Sequence, residues 1–260
     1  MSVIQKILDE KVHGVIRVAE PERVVEIATA LSRAGIKTIE IIIQNPEIVD
    51  VIHYLNSTEN LTIMAGGIIT QRQAQTAINA GASVLVSPIF QMNLMRLCQS
   101  HRLPIVMTAT TPNEAYTAWK ARIPLIKIYP TKPMGGAMYI EDMLRPMPFL
   151  NVIATGNIDV EDVADYLRAG AKAVGLGRSL YKDADANEIE NRARRVLELV
   201  DIYKNENQQE QQYLKTKKPS KEGFFIMIEP FRFSFFLLAP AHLLLLVELR
   251  QFVILEFPFL

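Results

Sequence analysis

Eight short apolar runs, each followed by a helix-like stretch, recur along the 260-residue chain. They start near Gly14, Thr38, Leu61, Ser83, Pro104, Leu125, Asn151 and Ala173, about 20–26 residues apart, the length of one βα unit. The intervening stretches carry helix signals. Pro21 and Pro46 suit first turns, Thr70 and Thr111 suit N-caps, and Asp159 with Asp162 has the spacing of a capping-box relative. The pairs Ala34-Gly35, Ala80-Gly81 and Ala169-Gly170 end helices with the left-handed residue that glycine supplies. Eight alternating units permit an open doubly wound sheet or a closed barrel. No dinucleotide-binding fingerprint follows the first run. Glycine-rich turns cluster instead after the last two runs, where barrels commonly hold phosphate. The expected fold is an α/β, closed (β/α)8 TIM barrel over residues 1–203.

Alternation along the strands sorts the side chains. In Thr38 to Ile43 the isoleucines Ile39, Ile41 and Ile43 share the face that suits helix packing, so Glu40 points into the barrel. Leu125, Lys127 and Tyr129 share one face of their strand, opposite Ile126 and Ile128. Val15, Arg17 and Ala19 share a face opposite Ile16 and Val18. Three charged residues, Arg17, Glu40 and Lys127, thus interrupt otherwise apolar strands. A barrel interior is a packed core, so these charges must meet each other or a ligand. One reading is a self-satisfied structural ion network. The other is chemical: a lysine amine sheltered from water can attack a carbonyl and form a Schiff base, with a carboxylate beside it to move protons.

Two turns have the make-up of an anion cradle. Thr155-Gly156-Asn157-Ile158 follows the seventh strand, and Gly175-Leu176-Gly177-Arg178-Ser179 follows the eighth. Glycines let backbone N–H groups approach an anion, and a following helix adds its dipole. Gly135-Gly136 is a third cradle of the same kind. The bland alternative is that these glycines only make tight turns.

Bulk properties narrow the function. Lys plus Arg and Asp plus Glu both number 28, for a net charge of zero, which gives no electrostatic case for nucleic acid. Cys98 is the only cysteine, so neither an intrachain disulfide nor a thiolate metal cluster can form. It reads as a small buried hydrophobe. Residues 1–10 have an amphipathic helical pattern without the apolar core of a secretory signal, and a cytoplasmic protein is expected.

These stretches together resemble the family of 2-keto-3-deoxy-6-phosphogluconate and 4-hydroxy-2-oxoglutarate aldolases. The resemblance runs in order over roughly residues 1–200. It is carried by Ile39-Glu40-Ile41 with Pro46, Ala65-Gly66, Ala80-Gly81-Ala82 with Ser87-Pro88, and Thr111-Pro112-Asn113-Glu114. It continues through Lys127-Ile128-Tyr129-Pro130, Gly135-Gly136, Thr155-Gly156-Asn157-Ile158 and Gly175-Leu176-Gly177. It implies a homotrimeric class I aldolase that uses no metal and no cofactor and cleaves a keto-deoxy sugar acid phosphate to pyruvate and an aldehyde. The family's Schiff-base lysine falls on Lys127 and its glutamate acid/base on Glu40. Candidate substrate-binding residues are Arg17, Gln44, Gly67, Pro88, Thr155, Gly156, Asn157, Gly177 and Arg178.

The chain departs from the family where the substrate carboxylate would be held. The family's Glu-Val-Thr-Leu-Arg-Thr-Pro is Glu40-Ile41-Ile42-Ile43-Gln44-Asn45-Pro46 here, so the arginine is replaced by neutral Gln44. Gly-Ala-Gly-Thr-Val becomes Met64-Ala65-Gly66-Gly67-Ile68, so Gly67 stands for a threonine. The Pro-Gly opening of the fifth strand becomes Met107-Thr108, and the serine of a Gly-Gly-Ser turn aligns with Arg178. Exchanging an arginine–carboxylate contact for a neutral donor removes a charge-assisted bond of about 1.5–3 kcal/mol. Arg17 and Arg178 are the groups available to compensate. A second function is therefore weighed: an aldolase-like barrel of impaired catalysis that binds a small anion.

After residue 200 the composition changes. Residues 204–222 are polar and read as a linker. Residues 223–260 hold nine of the eleven phenylalanines, and their longest run without an acidic or basic residue, Phe233 to Val247, has 15 residues. A membrane helix needs about 20. This atypical apolar C-terminal extension is expected to be an addition to the barrel. A membrane or partner anchor and docking on the barrel are the less favoured readings.

Overall fold

The structure, a computed structural model, describes residues 2–216. The chain divides into two compact units, Met1–Lys204 and Asn205–Leu260. In the first, helix α1 (Val3–Glu10) precedes strand β1 (Val12–Ile16). Then follow α2 (Pro21–Ala34), β2 (Thr38–Ile42), α3 (Glu47–Thr58), β3 (Thr62–Gly66), α4 (Gln71–Asn79) and β4 (Val84–Ser87). The second half runs through α5 (Met92–Ser100), β5 (Ile105–Ala109), α6 (Pro112–Lys120), β6 (Ile126–Ile128) and α7 (Ala137–Leu144). It ends with β7 (Val152–Thr155), α8 (Val163–Arg168), β8 (Ala173–Leu176), α9 (Arg178–Tyr181) and α10 (Ala186–Thr216). The eight strands pair in sequence order, all parallel, and β8 pairs with β1 to close the barrel. The expected (β/α)8 barrel is the fold found.

The helices begin and end where the chain carries the chemistry for it. Thr70 and Thr111 form capping boxes with Gln73 and Glu114, satisfying N–H groups that a helix start leaves open. Gly35 closes α2 at φ 114°. Pro21 occupies the first turn of α2, whereas Pro46 stands just before α3. Asp159 makes no capping bond from its side chain; its carboxylate meets Lys132 instead.

Strand alternation splits the core in two. Outward residues such as Ile39, Ile41, Ile126 and Ile128 are buried beneath the helices in the larger cluster, each side chain contributing about 1.5–3 kcal/mol relative to exposure. Inward residues Met64, Val84, Val86, Val106, Leu125, Ile153 and Ala173 form a second cluster with Ile7 of α1. Val3, Ile4 and Leu8 pack against it as well. The N-terminal amphipathic helix thus plugs one end of the barrel, which leaves the carboxyl ends of the strands as the open mouth.

Cys98 lies buried in α5, and burial pushes its thiol up to about 11, which makes it a packing residue. Helix α10 continues through Thr216, so residues 205–216 of the second unit, part of the polar segment read as a linker, are helical. The apolar extension 223–260 lies outside the described residues. Among the described residues no helix is long and apolar enough to cross a membrane.

Candidate active site

β2 and β6 stand four strands apart around a closed ring of eight, so they face each other across the barrel. Glu40 projects inward from the middle of β2 and Lys127 from the middle of β6. They meet above the apolar floor. Lys127 Nζ donates to Glu40 Oε1 at 2.7 Å and to Oε2 at 2.8 Å. Glu40 is 1 % exposed and Lys127 7 %. Burial works to raise the Glu40 carboxyl, but the positive charge of Lys127 and the neighbouring His13 outweigh it and hold the group at about 2. The carboxylate is therefore ionised in the resting barrel and oriented by the amine it is paired with.

The strands beside the pair are shaped to admit it. Gly66 on β3 has no side chain where a Cβ would lie 2.5 Å from Glu40 Oε1. Thr108 on β5 and Ile153 on β7 flank Lys127 in register. On β1, His13 is fully buried, with Nε2 3.6 Å from Glu40 Oε2. A Cβ at Gly175 of β8 would lie 2.7 Å from both Nε2 and Cε1 of that imidazole. The sequence reading of β1 began its inward face at Val15 and missed His13. The signal was present, since His13 precedes Val15 by two and alternation puts both on one face.

The loops beyond the strands are tied together. Thr131, after β6, donates its N–H at 2.9 Å and its hydroxyl at 3.0 Å to the carbonyl of Thr155, at the end of β7. Gly156 follows at φ 111°, where a Cβ would sit 2.7 Å from Pro130 Cα. Only glycine fits that approach. Asn45 Nδ2 donates to the carbonyl of Ala19 at 2.9 Å, joining the loops after β2 and β1. The Arg17 N–H donates to the Tyr181 hydroxyl at 3.2 Å.

The remaining sequence candidates lie at or just past the carboxyl ends of the strands. Arg17, expected on the interior face of the first strand, instead lies exposed just past the end of β1, and Gln44 is exposed just past β2; neither side chain is hydrogen-bonded among the described residues. Gly67 follows β3 at φ 80°. Thr155 is buried at the end of β7, and Gly177 precedes α9. Arg178 Nη2 donates to Asn157 Oδ1 at 3.3 Å, so the two glycine-rich turns share one edge of the mouth, with an exposed guanidinium on it. Pro88 lines a separate cleft of about 230 Å³ with Phe90, Thr108, Thr110, Asn113 and Glu114. Neither Lys127 nor Glu40 lines it; Thr108 is its link to the pair. No group of three or more His, Cys, Asp or Glu is gathered among the described residues to hold a metal ion.

Comparison with known proteins agrees with this architecture. The family model described as KDPG and KHG aldolase matches residues 3–196. A 2-dehydro-3-deoxy-phosphogluconate aldolase of Haemophilus influenzae is 28 % identical over 206 residues, covering 78 % of this chain and 97 % of the relative. A 2-dehydro-3-deoxy-6-phosphogalactonate aldolase of Escherichia coli is 24 % identical over 194 residues, covering 74 % and 93 %. The solved 2-keto-3-deoxy-6-phosphogluconate aldolase of Zymomonas mobilis superposes with a TM-score of 0.69 at 17 % identity, covering 75 % of this chain and 96 % of that one.

Proposed function

The chain belongs to the KDPG and KHG aldolase family, and we propose that it cleaves a 2-keto-3-deoxy sugar acid phosphate, or 4-hydroxy-2-oxoglutarate, through a Schiff base on Lys127. Aldol cleavage is the reaction of the family; the mechanism and the substrate are our reading. The observation that carries it is the two-oxygen contact between Lys127 Nζ and Glu40, a buried amine with a proton acceptor already in contact.

Lys127 Nζ adds to the keto carbon of the substrate as Glu40 takes a proton from it. Glu40 returns that proton to the carbinolamine hydroxyl, which leaves as water and gives the iminium, with Glu40 again a carboxylate. Glu40 then accepts the proton of the hydroxyl on the carbon to be released. The carbon–carbon bond breaks, the aldehyde leaves, and the electron pair flows into the iminium to form an enamine. The same carboxyl returns a proton to the methylene carbon, and water hydrolyses the pyruvate iminium. One carboxylate in contact with the amine suits every transfer, since a proton shuttle must reach the groups it serves.

The mouth supports an anionic substrate. Arg17 and Arg178 are exposed cations beside the strand ends, and the turns at Gly156 and Gly177 present backbone N–H groups to a phosphate. Gln44 offers the substrate carboxylate a neutral donor. A homotrimer belongs to this proposal by the family's pattern. Retention of the paired Lys127 and Glu40 speaks against a barrel that only binds anions.

The test is incubation with pyruvate and borohydride, followed by mass spectrometry of the peptides. The expected adduct is on Lys127 and is absent from Lys127→Ala. An adduct that persists unchanged in the variant overturns the assignment.

A further inference from the structure

His13 has no evident structural occupation. Its ring is fully buried on the inward face of β1, and neither Nδ1 nor Nε2 has a hydrogen-bond partner. Burying an imidazole with both nitrogens unsatisfied is costly, and an unpartnered buried polar group calls for a reason. A leucine or valine would fill the volume without that cost. The barrel even makes room for the ring, since Gly175 leaves vacant the place where a Cβ would press on Nε2 and Cε1. The ring is aimed at one atom: Nε2 lies 3.6 Å from Glu40 Oε2, just beyond hydrogen-bond reach.

We infer that His13 is a positioning residue for Glu40, a reserve donor that bonds Oε2 when Lys127 is drawn into its covalent bond with substrate. The inference rests on the Schiff-base reading above. In the resting site Lys127 Nζ serves both oxygens of Glu40. Once Nζ becomes an iminium nitrogen it carries a single proton in a planar arrangement, so one carboxylate oxygen loses its donor. The oxygen that His13 faces is Oε2. A shift of roughly 0.7 Å closes the gap to an ordinary N–H···O distance. His13 Nε2–H then holds the carboxylate in place for the next step. There, Glu40 takes a proton from the methyl carbon of the pyruvate iminium. The C–H electron pair becomes the C=C bond of the enamine, and the C=N pair returns to Nζ. The reverse step delivers a solvent-derived proton to the same carbon.

Two readouts separate this role from simple packing. Borohydride trapping with pyruvate reports imine formation at Lys127. Exchange of pyruvate methyl protons in heavy water, followed by NMR, reports the proton transfer at Glu40. In His13→Leu, trapping is expected to match the wild type while methyl exchange slows about tenfold or more, the scale of a lost hydrogen bond to a charged group. His13→Gln, which retains an N–H donor, is expected to recover most of the exchange rate. Exchange in His13→Leu equal to the wild type, or His13→Gln as slow as His13→Leu, overturns the inference. If His13→Leu fails to trap because it does not fold, ¹⁵N-histidine NMR of the wild type decides. The Nε2–H signal of His13 must move downfield when saturating pyruvate forms the iminium on Lys127, and an unchanged signal overturns the inference. Absence of trapping in the wild type itself sinks the Schiff-base reading, and this one with it.

Discussion

Gly66 and Glu40 stand on adjacent strands so close that a methyl group on Gly66 would lie 2.5 Å from Glu40 Oε1, and as close to Ile42 Cδ1. Both neighbours are the far ends of side chains and can turn aside. Gly66→Ala is therefore expected to fold while pushing the Glu40 carboxylate off Lys127. A misplacement of about 1 Å at a reacting group can cost on the order of a hundredfold. Pyruvate trapping by borohydride should slow at least tenfold, with a thermal midpoint within a few degrees of the wild type. Trapping at the wild-type rate would show that the carboxylate tolerates the methyl, and that the gap at Gly66 has no bearing on the pair.

Lys127→Ala should be costly to stability as well as to chemistry. It strands the Glu40 charge in the barrel, and breaking one partner of a buried pair costs about 3–5 kcal/mol. Adding Glu40→Gln removes the stranded charge, so the double variant is expected to be more stable than Lys127→Ala alone. Urea unfolding of the three proteins measures both differences. If Lys127→Ala matches the wild type, water reaches the carboxylate and the site is wetter than its burial implies.

Much of this was legible in the sequence because the barrel repeats one local rule. The observed strands begin at Val12, Thr38, Thr62, Val84, Ile105, Ile126, Val152 and Ala173, within two residues of the apolar runs. Two-residue alternation put Glu40 and Lys127 inside, and barrel closure brought them together across it. What escaped carried a weaker signal. His13 sits one position before the run that marked β1, and its meaning comes from Glu40 and Gly175 on other strands. The helical stretch to Thr216 was hidden by composition. Its Gln, Glu and Lys look like linker, yet they are good helix formers, and neither Gly nor Pro interrupts them before Pro219.

Acid should loosen the barrel through Glu40. Its carboxyl lies at about 2 in the folded chain, below the 4.5 ordinary to glutamate. The unfolded chain therefore takes up this proton first, and the stabilisation, complete above pH 4.5, is lost as pH falls towards 2. Stability measured by urea unfolding across that window should fall less steeply in Glu40→Gln than in the wild type. Identical slopes would place the acid sensitivity in other carboxylates. At neutral pH the same variant should lose about 10²–10⁴-fold in turnover, the usual span for a general acid–base group.

Gln44 stands exposed at the mouth where the resemblance places an arginine. If its neutrality weakens the hold on the substrate carboxylate, Gln44→Arg restores a charge-assisted contact. KM for the keto acid should fall by roughly tenfold or more with kcat little changed, the pattern of an interaction made equally in ground and transition states. An unchanged or higher KM, in a folded variant, would mean that another group such as Arg17 already holds the carboxylate.

A chain ended at Asn207 retains the whole of the Met1–Lys204 unit. The barrel in that unit is closed, with β8 paired to β1, so it offers no open strand edge for further chain to complete. The truncation removes residues 223–260, which hold nine of the eleven phenylalanines, a composition that favours aggregation or adhesion to membranes wherever it meets water. The shortened protein is therefore expected to fold, to keep the oligomeric state and aldolase activity of the full chain, and to be more soluble. Light scattering, borohydride trapping and a thermal melt on the two chains side by side test this. Loss of the oligomer or of the fold would make the C-terminal residues a structural part of the barrel, and the boundary near residue 204 would have to move.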